Sequence, residues 1–196
     1  MRFIQGIFKL TRLFNLIIIA LCQFLLASNI ENIPYQDLLL DWKFLAIVLS
    51  TLTIAAGGNV INDYYDVKID YINKPDKVVV GKSVTRRTAM LLHALLSYGG
   101  IFIALAVSWR LALADTLIVM LLWYYSNQLK CTPLWGNLAV GVLTSMVVIV
   151  LPMYFGEIKT EYIIFSFFAF LITIIRELTK DLEDIRGDLK FGCSTF

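Results

Sequence analysis

Apolar residues in this chain come in long blocks separated by short polar stretches. The blocks run over Leu13 to Ala27, Phe44 to Ile61, Ala89 to Trp109, Leu111 to Tyr125, Leu138 to Phe155 and Tyr162 to Ile175. Several approach the roughly 20 residues a helix needs to cross a bilayer core, and flanking residues extend the shorter ones. Hydrocarbon cannot satisfy open backbone groups, and the blocks lack the alternation of barrel strands. The pattern therefore predicts an all-α, polytopic transmembrane helical bundle of about six spans. Composition agrees: 59% of the 196 residues are hydrophobic, 16% are charged, and the mean hydropathy is +0.75, far outside the soluble range.

The first block follows a basic start, as in a signal peptide, but Asn29-Ile30-Glu31 is a poor small-residue cleavage site. It is read as a retained first helix. Charge then orients the bundle. If the spans alternate, fourteen of the seventeen Lys and Arg fall on one side, leaving Lys43, Arg110 and Lys159 opposite. By the positive-inside rule the basic side, with the N-terminus, is cytoplasmic, and the cell membrane is the expected location. The opposite rim is expected to hold Glu31, Asp37, Asp41, Asp115, Glu157 and Glu161, so the net charge of +2 averages two unlike rims. Nothing points to nucleic acid as a partner.

Cys22, Cys131 and Cys193 have no metal-binding or redox spacing and are read as packing residues. His93, alone in the third span, is expected to be hydrogen-bonded within the bundle.

Two acidic segments stand out against this background. "GGNVINDYYDVKIDYINKPDK" follows the second block and "RELTKDLEDIRGDLKFG" the sixth. Asp63, Asp66 and Asp70 match Asp181, Asp184 and Asp188, each pair 118 residues apart, and Asn59 and Glu177 extend the match one turn upstream. At about 100° per residue, positions i, i+3 and i+7 fall within roughly 60° on a helix surface. Each segment thus carries a carboxylate stripe, and the alternation of spans places both at cytoplasmic helix ends, able to face one cavity. Converging carboxylates repel unless cations neutralise them. Oxygen ligands favour a hard ion such as Mg²⁺, which commonly bridges carboxylates to phosphates. Charged groups that can face the interior of a membrane bundle are functional candidates.

"NVINDYYDVKID" and "KDLEDIRGD" resemble the two aspartate-rich motifs of the UbiA superfamily of intramembrane prenyltransferases. "YYSNQLKCTPLWGN", after the fourth span, resembles the family's cytoplasmic segment there. The resemblance covers essentially the whole chain as a single domain, residues 1–196. It implies a nine-helix bundle around a cavity, with the usual last helices lacking beyond "GCSTF".

It further implies that Mg²⁺ binds an isoprenyl diphosphate through Asp63, Asp66, Asp70, Asp181, Asp184 and Asp188. Asp66, Asp70, Asp184 and Asp188 would be the catalytic core, Asn59 and Asn62 polar support, and Lys130, Lys68, Arg176 and Lys180 phosphate contacts. The loop "NKPDKVVVGKSVTRRTAM" is expected to be irregular, and it reads equally as a cap over the cavity that meets an anionic acceptor and as a plain positive-inside loop. The motif wording is most like the branch that transfers a geranylgeranyl group to geranylgeranylglycerol phosphate, a lipid acceptor. Other branches use aromatic acceptors of quinone or haem synthesis. An inactive remnant, an oligomer that completes the cavity, and a cation-binding transport protein are the further readings of such a chain.

Overall fold

A computed structural model describes residues 2–132 and 134–190, and the side chains of these except at 2, 77, 131 and 184–190. Eight helices follow one another: α1 (Arg2–Thr11), α2 (Leu13–Glu31), α3 (Tyr35–Leu40), α4 (Trp42–Asn73), α5 (Arg86–Val107), α6 (Trp109–Asn127), α7 (Trp135–Phe155) and α8 (Thr160–Lys190). Among the described residues the only pairing outside helices is a bridge between Val80 and Val84.

Among the described residues five helices, α2, α4, α5, α7 and α8, are long and apolar enough to cross a membrane. The expected fourth span forms as α6, but Arg110 and Asp115 near its start lower its apolar character, so sequence measures alone do not count it. Its packing supplies what composition lacks. Ser50 on α4 meets Asp115, and the α4 surface at Gly58 meets Leu122, so α6 runs parallel to α4 along the bundle. The α5 helix runs antiparallel to α4, with Ser50 bonded to the Gly100 carbonyl and His93 to that of Gly57. The α7 and α8 helices are likewise antiparallel, through Asn137 to Asp181 and Gly141 against Phe170.

Local chemistry sets the breaks. Asp41 caps α4 by accepting from the N–H groups of Lys43 and Phe44, Thr85 caps α5, and Ser108 separates α5 from α6. The third predicted block, Ala89 to Trp109, is therefore cut at Val107, with Trp109 opening the next helix. Arg12 sits in the left-handed region at φ 53°, which breaks α1 from α2. Gly100 lets α5 come close to α4: a Cβ there would lie 2.6 Å from Ile54 Cγ1. Such close helix approach is how membrane bundles gain dispersion contact.

Exposed Phe14, Leu95, Phe102, Leu117 and Phe167 cover the outside, as a lipid-facing surface requires. At one end α1 folds back over a small core of Leu10, Val60, Val79, Val80, Val84 and Ala89. This decides the reading of the loop between α4 and α5. Its valines are buried beneath α1, Lys82 bonds to the Pro75 carbonyl at 2.7 Å, and Arg86 stacks over Tyr64, so it packs against the helix ends instead of over a cavity. Asp115 is corrected too: it is 4% exposed inside the bundle, not on the opposite rim. His93 is bonded within the bundle as expected, with Nδ1 3.0 Å from the Gly57 carbonyl and 3.3 Å from Ser97 Oγ. Cys22 is half-buried in α2, while the Cys131 side chain and Cys193 lie outside the described residues.

On the side opposite the aspartate segments, Lys159 Nζ lies 2.6 Å from Glu31 Oε2, and Tyr162 donates to Glu31 Oε1 at 3.0 Å, clasping α2 to the start of α8. The Glu31 hydrogen bond raises the Lys159 ammonium above its ordinary range. A raised lysine contributes stability in full below its unfolded value, about 10.4, and loses it as pH climbs through the higher folded value. Unfolding in detergent between about pH 9 and 12 is therefore expected to show a stability loss that is smaller in Glu31→Gln than in the parent chain. Equal losses in the two would show that the clasp carries no pH-linked stability.

Candidate functional site

A cavity of about 400 Å³ opens among α2, α4, α6, α7 and α8. At the end bearing the aspartate segments it is lined by Arg12, Asn15, Asn59, Asn62, Tyr125, Ser126, Arg176, Glu177 and Lys180; deeper in it is lined by Ile18, Ile54, Leu122, Leu143, Val147 and Val148. The polar end and the apolar depth follow from helix length. At 1.5 Å per residue, α4 is about 48 Å long against a hydrocarbon core of about 30 Å, so its last turns stand beyond the apolar slab.

Each carboxylate of the first segment has its own surroundings. Asp63 accepts from Arg12 Nη2 at 2.9 Å. Asp66, 5% exposed, is paired with Lys130, which the 3₁₀ turn Leu129–Cys131 delivers from the end of α6. Asp70, half-buried one turn further, lies in the field of Asp66 and Lys130. On α8, Asp181 accepts from Asn137 Nδ2 at 2.9 Å, and Glu177, 4% exposed, is flanked by Arg176 and Lys180. The Tyr125 phenol lies in the field of Lys130, Glu177, Asp66 and Asp181 at once. Of the two stripes, Asn59 and Asn62 on α4 and Glu177 on α8 line the cavity, while Asp63, Asp66 and Asp181 are held by partners beside it. Asp184 and Asp188 belong to α8, but their side chains lie outside the described residues.

Burial works against the charge on Lys130, and the Asp66 carboxylate, with help from Tyr125 and Asp70, overcomes it, so the ammonium ends well above its usual range. It stays a cation through neutral pH.

Among the described residues no three His, Cys, Asp or Glu side chains are gathered into a preformed metal cluster, because Asp63, Asp66 and Asp181 are each turned to a separate partner. One oxygen is nonetheless left over. Asn62 Oδ1 is buried, its residue lines the cavity one turn before Asp66, and it accepts no hydrogen bond. A buried acceptor without a partner costs about 1–3 kcal/mol. A neutral oxygen beside carboxylates suits a hard divalent cation, so these residues fit Mg²⁺.

Of the remaining candidates, Asn59 lines the cavity and donates to the Thr11 carbonyl at 3.1 Å, holding α1 and α2 against α4. Lys180 and Arg176 line the mouth. Lys68 is the exception: two residues from Asp66 is about 200° around a helix, and it is exposed on the far face. The sequence pattern does not mark Arg12, Asn137 or Tyr125 as site residues, though the structure places each beside a carboxylate or its field. Asn137 closes the "YYSNQLKCTPLWGN" segment, which was its one available signal, while nothing in the sequence ties Arg12 to a carboxylate 51 residues away.

The fold and cavity define an integral membrane helical bundle with a charged mouth and an apolar interior. The chain belongs to the UbiA prenyltransferase family, whose profile it matches over residues 15–196. It is 36% identical over 166 residues to a digeranylgeranylglyceryl phosphate synthase of Methanobrevibacter smithii, an alignment covering 80% of this chain and 58% of that protein. A protein of the same name from Thermococcus gammatolerans is 36% identical over 160 residues, covering 79% and 56%. A solved structure from work on the biosynthesis of digeranylgeranylglyceryl phosphate synthase in membranes superposes with a TM-score of 0.77 at 27% identity, covering all of this chain and 68% of that one. The chain thus spans somewhat over half the length of these curated relatives.

Proposed function

We propose that this chain binds an isoprenyl diphosphate, geranylgeranyl diphosphate, and transfers its isoprenyl group to geranylgeranylglycerol phosphate, a step of ether-lipid synthesis. The observation that carries the reading is the division of one cavity into a charged mouth and apolar walls, which suits an anionic head on a hydrocarbon tail. The names of the relatives support the acceptor. The basic residues gathered at the mouth support a cytoplasmic placement of that end, in the cell membrane.

Arg12, Lys130 and Lys180 would bind diphosphate oxygens, Lys130 as a point charge and Arg12 as a fork. Mg²⁺ held by Asn62, Asp63, Asp66 and Asp70 with Asp181, Asp184 and Asp188 would neutralise charge on the departing diphosphate. As the allylic C–O bond breaks, its electron pair leaves with the diphosphate, and the acceptor's hydroxyl oxygen bonds to the allylic carbon and gives up its proton to the released diphosphate. The walls of Ile18, Ile54, Leu122 and Val147 keep water from that carbon.

Membranes containing the chain are expected to form product from labelled geranylgeranyl diphosphate with geranylgeranylglycerol phosphate, and only with Mg²⁺. Product with an aromatic acceptor instead would move the chain to another branch, and no product with any acceptor would overturn the reading.

Gly136 offers a separate check on the Lys130 turn. A Cβ there would lie 2.9 Å from the Leu129 carbonyl oxygen, a backbone atom that cannot swing aside. Gly136→Ala is expected to push the turn away and lower transfer by about 10²-fold, the scale of a displacement near 1 Å at a reacting site. Full activity in that variant would show that the position of the turn does not matter.

A further inference from the structure

Helix α1 carries more apolar surface than its packing uses. Gly6 and Leu10 mark the face laid against the bundle: a Cβ at Gly6 would lie 3.0 Å from Val84 Cγ2, and Leu10 is fully buried. Ile4 and Phe8 stand about 160° round the helix from that face. They are 59% and 54% exposed. The apolar arc from Gly6 through Leu10, Phe3 and Ile7 to Ile4 and Phe8 is about 200° wide, twice the stripe of about 100° that packing on one side requires. Gln5 and Lys9 lie in the remainder.

The ties of α1 to α4 fix its depth in the membrane. The Thr11 carbonyl accepts from Asn59, and Arg12 pairs with Asp63. On α6, Leu122 meets Gly58, so the exposed Trp123 and Tyr124 that follow it stand at the level of Asn59, while exposed Trp42 and Trp109 open α4 and α6 at the far ends. Exposed Trp and Tyr collect where membrane helices meet the headgroups. The end of α1 therefore lies in a headgroup layer.

Two further observations name what covers Ile4 and Phe8. Along the chain their surface continues across Arg12 into exposed Leu13, Phe14 and Ile17 of α2, which belong to the lipid-facing outside. The charge beside it is positive. Lys9 reaches the Asp76 carbonyl at 3.4 Å and Gly6 abuts Ser83, which brings the loop before α5 alongside α1. Exposed Lys9, Lys82, Arg86 and Arg87 there outnumber the one carboxylate of these segments, Asp76.

We propose that α1 is a membrane-surface helix whose Ile4 and Phe8 face rests on an anionic leaflet, with acyl chains against the apolar side chains and headgroup phosphates against the neighbouring cations. The same helix carries Thr11 and Arg12, so the lipid that seats it also steadies two contacts at the mouth of the cavity. The inference draws only on the membrane placement of the bundle. Failure of the transferase reading leaves it standing.

The test uses the full chain with Cys22, Cys131 and Cys193 replaced by serine and one fluorescent probe attached at Ile4→Cys, Phe8→Cys or Gln5→Cys. Each is reconstituted in phosphatidylcholine bilayers with and without about 30% phosphatidylglycerol. In the anionic bilayer, nitroxides on the acyl chains are expected to quench the Ile4 and Phe8 probes about threefold more than the Gln5 probe, and aqueous iodide about threefold less. Leaving out the anionic lipid should lower the nitroxide quenching at Ile4 and Phe8 about twofold.

Iodide quenching as strong at Phe8 as at Gln5 overturns the proposal and returns the face to water. Protection from both quenchers overturns it in favour of a second copy or another protein covering α1. Nitroxide quenching indifferent to phosphatidylglycerol overturns it too. Amide exchange in the parent chain gives a check without substitution or label: the amides of α1 are expected to exchange about threefold more slowly in the anionic bilayer, and equal rates overturn the proposal.

Discussion

Asp66→Asn is expected to abolish Mg²⁺-dependent binding of isoprenyl diphosphate and to lower transfer by about 10³-fold, while the protein still inserts in the membrane. Asparagine keeps the size of the side chain and removes its charge. Asp66 is the most buried carboxylate of the first segment, and it sits where the end of α4 meets the Lys130 turn. Its charge is thus felt by whatever occupies the mouth, with little water to screen it. The matching change on α8, Asp184→Asn, is expected to act alike, since the two positions are 118 residues apart in the same stripe pattern. Equilibrium binding of labelled diphosphate with and without Mg²⁺ decides the matter. Unchanged affinity in both variants would sink the shared-cavity reading.

Lys130→Met should separate stability from activity. Removing one partner of a buried ion pair costs about 3–5 kcal/mol, and the 22% exposure of the Lys130 side chain places this case at the low end. Replacing both partners leaves no buried charge. The double variant Asp66→Asn with Lys130→Met should therefore recover most of the lost stability while transfer stays at least about 10³-fold down, because neither the carboxylate nor the phosphate-binding cation has returned. Thermal unfolding of the parent chain, both single variants and the double gives the coupling. Additive losses would mean that the Asp66–Lys130 contact contributes no net coupling to stability.

The parts of the site legible in the sequence are those that helix periodicity carries. Asp63, Asp66 and Asp70 repeat at Asp181, Asp184 and Asp188, so regular helices place both stripes without knowledge of any neighbour. Pairings across the bundle were not legible. Arg12 pairs with Asp63 from a left-handed conformation, which sequence does not announce at an arginine. The charges of the loop before α5 suit a cap and a plain positive-inside loop alike, and the burial of Val79, Val80 and Val84 under α1 decides for the second. Lys68 is near the aspartates in sequence, and helical geometry sends it the other way. Asp115 was assigned to a rim because it lies near the start of α6, whereas Ser50 draws it inside.

The length of α4 ties the site to the lipid around it. Counting from Trp42, Asp63 lies about 32 Å along the helix, close to the edge of an average hydrocarbon slab. The acidic stripe therefore begins near the boundary between oil and water. A bilayer a few ångströms thicker brings hydrocarbon up to Asp63 and Arg12, and meeting it by tilting costs fractions of a kcal/mol per ångström. Through this one rod, the thickness of the host membrane bears directly on how the first carboxylate of the stripe is hydrated.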